Sequence, residues 1–170
     1  MSQVPTEETI TFGYMPPSNT QFSVFLDNRC GKLLELVEIL EGHALELVAL
    51  SVLDSADHAV VRLVTSNSAL ASRILRRNNV PFSEAAILVV EFRPDQTLAH
   101  LCKTLLSAEL NIHYAYPLLV RPHGAPVMAI HCDDLVLAGQ LLLRKMFTLL
   151  GENDLGDNKT HGDPFEQNYG

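Results

Sequence analysis

The chain has 170 residues, 47% of them hydrophobic, enough for one medium domain or two small ones around a packed core. Its 12 basic and 20 acidic residues give a formal charge of −8, which argues against nucleic acid and anionic membrane surfaces as partners, since clustered Lys and Arg grip both. The three cysteines, Cys30, Cys102 and Cys132, are widely spaced and form no CxxC, which suits a reducing cytoplasm.

Residues 1–19, with Pro5, Pro16 and Pro17, read as an irregular arm with room for a short strand at Ile10–Phe12. The opening "MSQVPTEETI" is acidic and proline-broken, where a secretory signal needs a basic start and an apolar run. "QFSVFL" (Gln21–Leu26) reads as a strand. Leu33, Leu36, Val37 and Leu40 then recur at i, i+3, i+4 and i+7, one face of a helix. "ELVALSVLD" and "DHAVVRLVT" form a hairpin turning at Ser55–Ala56. A helix over Ser68–Asn78 turns Ala71, Ile74 and Leu75 inward, and "FSEAAILVVEF" returns as a strand. The longest apolar run, Ala85–Val90, is too short to span a bilayer, but it suits a strand covered on both faces.

The same order follows again. Leu98, Leu101, Cys102 and Leu105 make a helix stripe, and "NIHYAYPLLV" and "PVMAIHC" a hairpin around "RPHG". A helix holds Leu137, Ala138, Leu141 and Leu142, and "FTLL" closes the set. Placing Ala71 on Ala138 superimposes "NSALASRILRR" on "DLVLAGQLLLR" at a shift of 67 (138 − 71), and Leu33 falls on Leu98 at a shift of 65 (98 − 33). Each half is a βαββαβ unit, an α+β arrangement of ferredoxin-like type with an antiparallel sheet and both helices on one face. The units are expected at residues 20–85 and 86–155, with a polar tail at 156–170. Pro117 lies in the second strand of its unit, which the topology puts at a sheet edge, where a missing N–H is tolerated.

Two consecutive units, each opening strand, turn, helix, resemble a tandem ACT-domain protein of the small stand-alone amino-acid-binding regulatory type, over about residues 20–155. In that pattern the first turn reads near Asn-x-Pro-Gly-x-Leu. The chain gives Asn28-Arg29-Cys30-Gly31-Lys32-Leu33, with cysteine at the proline position. In the second half "FRPDQTLAHL" keeps Pro94, Asp95 and Leu98 but puts Gln96 at the glycine position, and Asn111-Ile112 matches the strand entry. The resemblance implies a non-catalytic sensor of a small metabolite, an amino acid above all, held near the first turn and at an interface between units. The helices cover one face of the sheet, and the apolar run at Ala85–Val90 needs cover on the other, so a homodimer is expected, in the cytoplasm and with no cofactor, metal, nucleic acid or membrane partner.

The first turn suits that task on physical grounds. A helix start leaves backbone N–H groups without intrahelical partners and carries partial positive charge, so it accepts a carboxylate. Gly31 permits close approach and unusual dihedrals. Asp27 or the Asn28 carbonyl can accept from an ammonium group, and Leu33 can form an apolar wall. The candidate ligand set is therefore Asp27, Asn28, Arg29, Cys30, Gly31, Lys32 and Leu33, with Asp54 and Arg62 from the hairpin. A second, weaker loop comprises Pro94, Asp95, Gln96, Thr97 and Leu98. The plain structural reading is that Asp27 or Asn28 caps the helix and Gly31 serves the turn.

Other readings are a regulatory subunit of an amino-acid biosynthetic enzyme, resembling the acetohydroxyacid synthase small subunit, and a scaffold with defunct ligand loops. No GxSxG, P-loop, HExxH or GxGxxG occurs, so an enzyme is not expected. Strand aromatics in an acidic protein do not make an RNA-stacking sheet. His113, His131 and Cys132 are near neighbours, with His113 expected opposite Cys132. His131 and Cys132 point to opposite faces, so no three-ligand metal site is expected there.

Overall fold

The computed structural model describes residues 15–156. The expected strand at Ile10–Phe12 and nearly all of the tail lie outside them. The elements run β1 (Asn19–Asp27), α1 (Lys32–Leu40), β2 (Leu47–Asp54), β3 (His58–Thr65), α2 (Ser68–Arg77), β4 (Phe82–Glu91), α3 (Leu98–Leu106), β5 (Ile112–Pro117), β6 (Val127–Cys132), α4 (Leu135–Arg144), β7 (Thr148–Leu150) and α5 (Glu152–Leu155).

The strands form a seven-stranded sheet in the order β2-β3-β1-β4-β6-β5, with β7 also on β4. All the pairs are antiparallel. One strand serves both units. Phe82–Ile87 of β4 pairs with β1, whereas Leu88–Glu91 pairs with β6 and Val89–Glu91 with β7. The division expected between residues 85 and 86 falls inside this strand. Each unit has its second strand at the outside, β2 in one and β5 in the other. Pro117 thus sits on an edge strand, as its missing N–H requires.

Alternation sorts the strand side chains between two layers. Phe22, Val24, Val61 and Leu63 face α1 and α2, where they meet Leu36, Leu40, Ala71, Ile74 and Leu75. Leu88, Val90, Ile130 and Cys132 face α3 and α4 and meet Leu101, Leu105, Ala138 and Leu142. The other faces meet each other. Ala49 and Val64 of the first unit, with Ile87 and Val89, pack against Tyr116, Val127, Ala129, Leu150 and Leu155 of the second. The run Ile87–Val90 is therefore fully buried on both faces, which explains why it lacks alternation. The Leu119 N–H donates to Val48 C=O at 2.8 Å and draws the far end of the second unit onto β2.

The helices stop by a repeated device. Asn79, Glu109 and Met146 each take positive φ (52, 56 and 64°). The next residue's N–H returns to a carbonyl in the last helical turn: Val80 to Leu75, Leu110 to Leu105, Phe147 to Leu142. The starts of α2 and α4 match as well, capped by Asn67 and Asp134. The apolar stripes are narrower than the sequence suggests. Leu36 and Leu40 are buried on α1, and Leu101 and Leu105 on α3, while Leu33 and Leu98, the first members of each stripe, are exposed. The polar stretch after Gly151 opens with a short helix that sequence periodicity does not reveal. The Glu152 carboxylate accepts from the Ser68 N–H and hydroxyl, both at 2.7 Å, and Leu155 is buried.

Candidate functional site

β1 ends at Asp27 and α1 begins at Lys32. Between them Gly31 holds φ 86°, a left-handed conformation that glycine adopts without strain. A Cβ placed on Gly31 would meet nothing within 4 Å, so the corner is open to solvent. No side chain caps α1. Glu35 N–H returns to Gly31 C=O at 3.0 Å, and among the described residues no acceptor meets the N–H of Leu33 or Leu34.

The equivalent corner of the second unit is closed by its own side chains. Thr97 caps α3, its hydroxyl accepting from His100 N–H at 3.2 Å. Gln96, at the glycine position, accepts from Arg93 N–H and donates to Met146 C=O, both at 3.0 Å. Asp95 pairs with Arg93 at 3.7 Å, and Leu98 is exposed. A separate cavity of about 470 Å³ lies beside Pro94 and Gln96, walled by the β5–β6 turn. There His123 Nδ1 lies 2.8 Å from the buried Glu91 carboxylate.

Charges of both signs surround the open corner. Arg29 pairs with Asp27 at 3.0 Å, and Lys32 with Glu35 at 2.7 Å. The Asn28 amide donates to the Asp54 carboxylate at 2.9 Å, so the end of β2 is tied to the loop. Cys30 is exposed in the turn. The fold thus gathers Asp27 through Leu33 with Asp54. Arg62 is elsewhere. It lies opposite Ser23 on β3, and its guanidinium stacks 3.8 Å from the Tyr114 ring centre. Strand alternation sends it to the face that meets the second unit, away from the loop.

That inter-unit face holds a polar cluster that sequence reasoning did not single out. Gln21 is fully buried. Its Oε1 accepts from Tyr116 OH at 2.6 Å, and its Nε2 donates to Tyr114 OH at 2.8 Å. Burial holds the Tyr116 phenol well above its ordinary pKa, with the neighbouring Tyr114 adding to the effect and Arg62 opposing it. The signal was present: Gln21 is a polar residue on a strand otherwise apolar enough to be central, and Tyr114 and Tyr116 share one parity on β5. The pairing expected between His113 and Cys132 needs correcting. Ile112 lies opposite Cys132 and Tyr114 opposite His131, because a bulge at His113 shifts the register. His113 pairs instead with Asp133 at 2.9 Å. Among the described residues no group of three His, Cys, Asp or Glu side chains could hold a metal ion.

Two βαββαβ units that share a central strand, with one open and one closed helix corner, define a tandem ferredoxin-like α+β protein. Residues 18–158 match the family described as ACT domain pair, and the chain belongs to that family. Its members are typically regulatory, ligand-binding and non-catalytic. No curated protein sequence matches the chain. Among solved structures it is similar to protein BT0572 from Bacteroides thetaiotaomicron, with TM-score 0.72, 24% identity, and 82% of this chain and 96% of that one covered. It is also similar to the aspartokinase alpha and beta subunits, with TM-score 0.50, 11% identity and coverage of 78% and 98%. At these identities the likeness is one of fold. Among the described residues no helix is long and apolar enough to cross a membrane.

Proposed function

We propose that the chain is a cytoplasmic, non-catalytic sensor that binds a small metabolite, an amino acid, at the loop between β1 and α1. The observation that carries this reading is the contrast between the two corners. At the start of α1 a left-handed glycine leaves the helix without a side-chain cap and the corner open, whereas at the start of α3 Thr97 caps His100 N–H and the Gln96 side chain ties Arg93 N–H to Met146 C=O across the turn. A carboxylate at the first corner would complete the hydrogen bonding of α1 and meet the positive end of its dipole.

A second copy is part of the proposal. Leu53, Val60 and Phe25 are cross-strand neighbours on the non-helix face, and Leu53 and Phe25 are exposed. This apolar row continues the internal seam past its covered part and borders the loop. The alternative reading, a subunit of an amino-acid biosynthetic enzyme, would use the same row against a catalytic partner. The likeness to aspartokinase subunits fits it in fold. Co-purification with an enzyme, in place of a self-dimer by solution mass, would favour that alternative.

Thermal-shift screening against the twenty amino acids tests the central reading. A ligand at a hundred times its dissociation constant contributes about 2.7 kcal/mol to the folded state, a shift of roughly 5–10 °C for a chain of this size. Gly31→Val erases the shift, because a β-branched residue cannot hold the left-handed corner. A full response in the Gly31→Val protein would remove the loop from consideration.

A further inference from the structure

The duplication lets one helix be read against the other. At the shift of 67 that places Ala71 on Ala138, Arg73, Arg76 and Arg77 of α2 fall on Gln140, Leu143 and Arg144 of α4. The arginine that ends both helices answers the negative end of the helix dipole. Arg73 and Arg76 have no basic counterpart and belong to the first unit alone. Both are exposed, and among the described residues neither forms an ion pair. Arg76 lies over the Phe82 ring at 5.9 Å, a contact that leaves its charge unneutralised. An acidic chain thus carries a basic helix face.

The two arginines border a cleft of about 350 Å³ between α2, β1 and β4, shared with Thr20, Phe22, Ser72 and Glu84. The second unit shows what such a cleft holds. Phe22 lies opposite Leu63 and Leu88 opposite Ile130, so Phe22 and Leu88 are equivalent (130 − 63 = 67). Ser72 then corresponds to Gly139. Glu84, opposite Phe22, corresponds to Gly151, which follows the Leu150 that pairs with Val89. Both glycines face the segment before β1. A Cβ on Gly139 would overlap the buried Pro16, and one on Gly151 would touch Pro17 at 3.6 Å. A proline pair therefore fills the cleft beside α4, and its equivalent beside α2 is a cavity.

The lining sets the chemistry of an occupant. Thr20, Ala69 and Ser72 are small and uncharged, so a polypeptide backbone can come close. Glu84, bonded to the Ser72 hydroxyl at 3.0 Å, turns acidic groups away from the β4 side. Arg73 and Arg76 draw them to the α2 side. A nucleic-acid strand suits the cleft less well, because its charge recurs at every residue and also meets Glu84.

We infer that this cleft docks an extended acidic segment of a partner polypeptide, its carboxylates on Arg73 and Arg76 and an uncharged residue such as proline between α2 and the sheet. The surface is separate from the loop between β1 and α1, and the inference does not depend on that loop.

Fluorescence anisotropy of a labelled Glu-Asp-Pro-Pro-Asp-Glu peptide, titrated with the full chain, tests it. The acidic peptide binds, and its amide analogue Gln-Asn-Pro-Pro-Asn-Gln binds at least about tenfold more weakly. Affinity falls about tenfold between about 50 and 300 mM salt. Arg73→Gln/Arg76→Gln, at exposed positions, weakens binding about tenfold, whereas Arg77→Gln, on the His43 side of α2, changes it less than about threefold. Ser72→Phe fills the cleft, keeps every arginine and abolishes binding, with folding checked by thermal melting. No binding of the acidic peptide, or equal binding of the amide analogue, would overturn the inference. Full binding by Arg73→Gln/Arg76→Gln or by folded Ser72→Phe would do the same. Tighter binding of a ten-nucleotide oligothymidylate would replace the polypeptide by a nucleic acid. Stronger peptide binding after Asp157→Asn, Asp163→Asn and Glu166→Gln together would replace the partner by the chain's own acidic tail.

Discussion

Replacing Gln21 with methionine removes the clamp between the two units while nearly conserving side-chain length. Gln21 has no exposed surface, and Tyr116 is 5% exposed. Once the Gln21 carbonyl is gone, the Tyr116 hydroxyl loses its acceptor at 2.6 Å and water cannot readily take its place. A buried hydroxyl left unpaired costs about 1–3 kcal/mol. Tyr114 OH also loses its 2.8 Å donor, but this bond is only part-buried, so water compensates and the added cost is about 0.5–1 kcal/mol. The total loss is about 1.5–4 kcal/mol, a large share of the stability of a typical domain. Tyr116→Phe alone leaves the Gln21 carbonyl unpaired and costs about 1–2 kcal/mol. The double substitution replaces both partners by apolar groups, which is close to neutral when shape is kept. The singles therefore exceed the double by at least about 1 kcal/mol of coupling. Urea unfolding of the four proteins measures this through the midpoint at constant slope. A loss under about 0.5 kcal/mol for Gln21→Met, or two singles that simply add, would refute the clamp.

Gly139 lies within α4, and a Cβ there would stand 2.4 Å from Pro16 Cβ and 2.5 Å from Pro16 Cγ. Helix propensity alone favours alanine by about 1 kcal/mol, but the overlap with the buried proline costs about 1–3 kcal/mol. Gly139→Ala is thus expected to be destabilising overall, and a raised melting temperature would contradict the contact. Tyr116 supplies a pH signature. Its folded pKa is raised above the unfolded value near 10, so its contribution is fully present below pH 10 and is lost as pH rises beyond it. The unfolded chain releases that proton first, at up to about 1.4 kcal/mol per pH unit. Between pH 10 and 11.5 the wild type therefore loses more stability than Tyr116→Phe, and parallel pH curves for the two proteins would contradict this.

The sequence made some of this legible and hid the rest for physical reasons. Helix and strand order were readable because amphipathic periods of 3.6 and 2 dominate a two-layer unit, and the duplicated order fixed the fold. The uninterrupted apolar run at Ile87–Val90 announced a strand covered twice, yet periodicity cannot say by what. The cover comes from the other half of the same chain, so the demand that pointed to a second copy is partly met internally. Arg62 looked equivalent to the loop residues because distance along a sequence carries no information on register. Opposite Ser23 it is four residues up the strand from Asp27 (27 − 23) and faces Tyr114. The helix at Glu152–Leu155 escaped notice because one carboxylate bonded to Ser68 and one buried leucine anchor it, and neither makes a periodic pattern.

The two halves share a fold but differ at the positions a ligand would use, and β1 links that difference to the rest of the molecule. This strand lies between β3 and β4, carries Gln21 near its start and ends at the open corner with Asp27. Six residues (27 − 21) therefore separate the inter-unit clamp from the ligand loop along one hydrogen-bonded strand. A ligand that orders Asp27 and Lys32 acts on the end of a rod whose other end holds both tyrosines of the second unit. Any shift of β1 must either carry the seam with it or break two hydrogen bonds, one buried and one part-buried, and the second costs about as much as allosteric couplings usually provide. Binding in the first unit should therefore be reported in the second as a change at Tyr114 and Tyr116. Tyrosine fluorescence that responds to ligand in the wild type and falls silent in Gln21→Met would be its mark, and equal responses in the two proteins would show that the strand does not carry the signal.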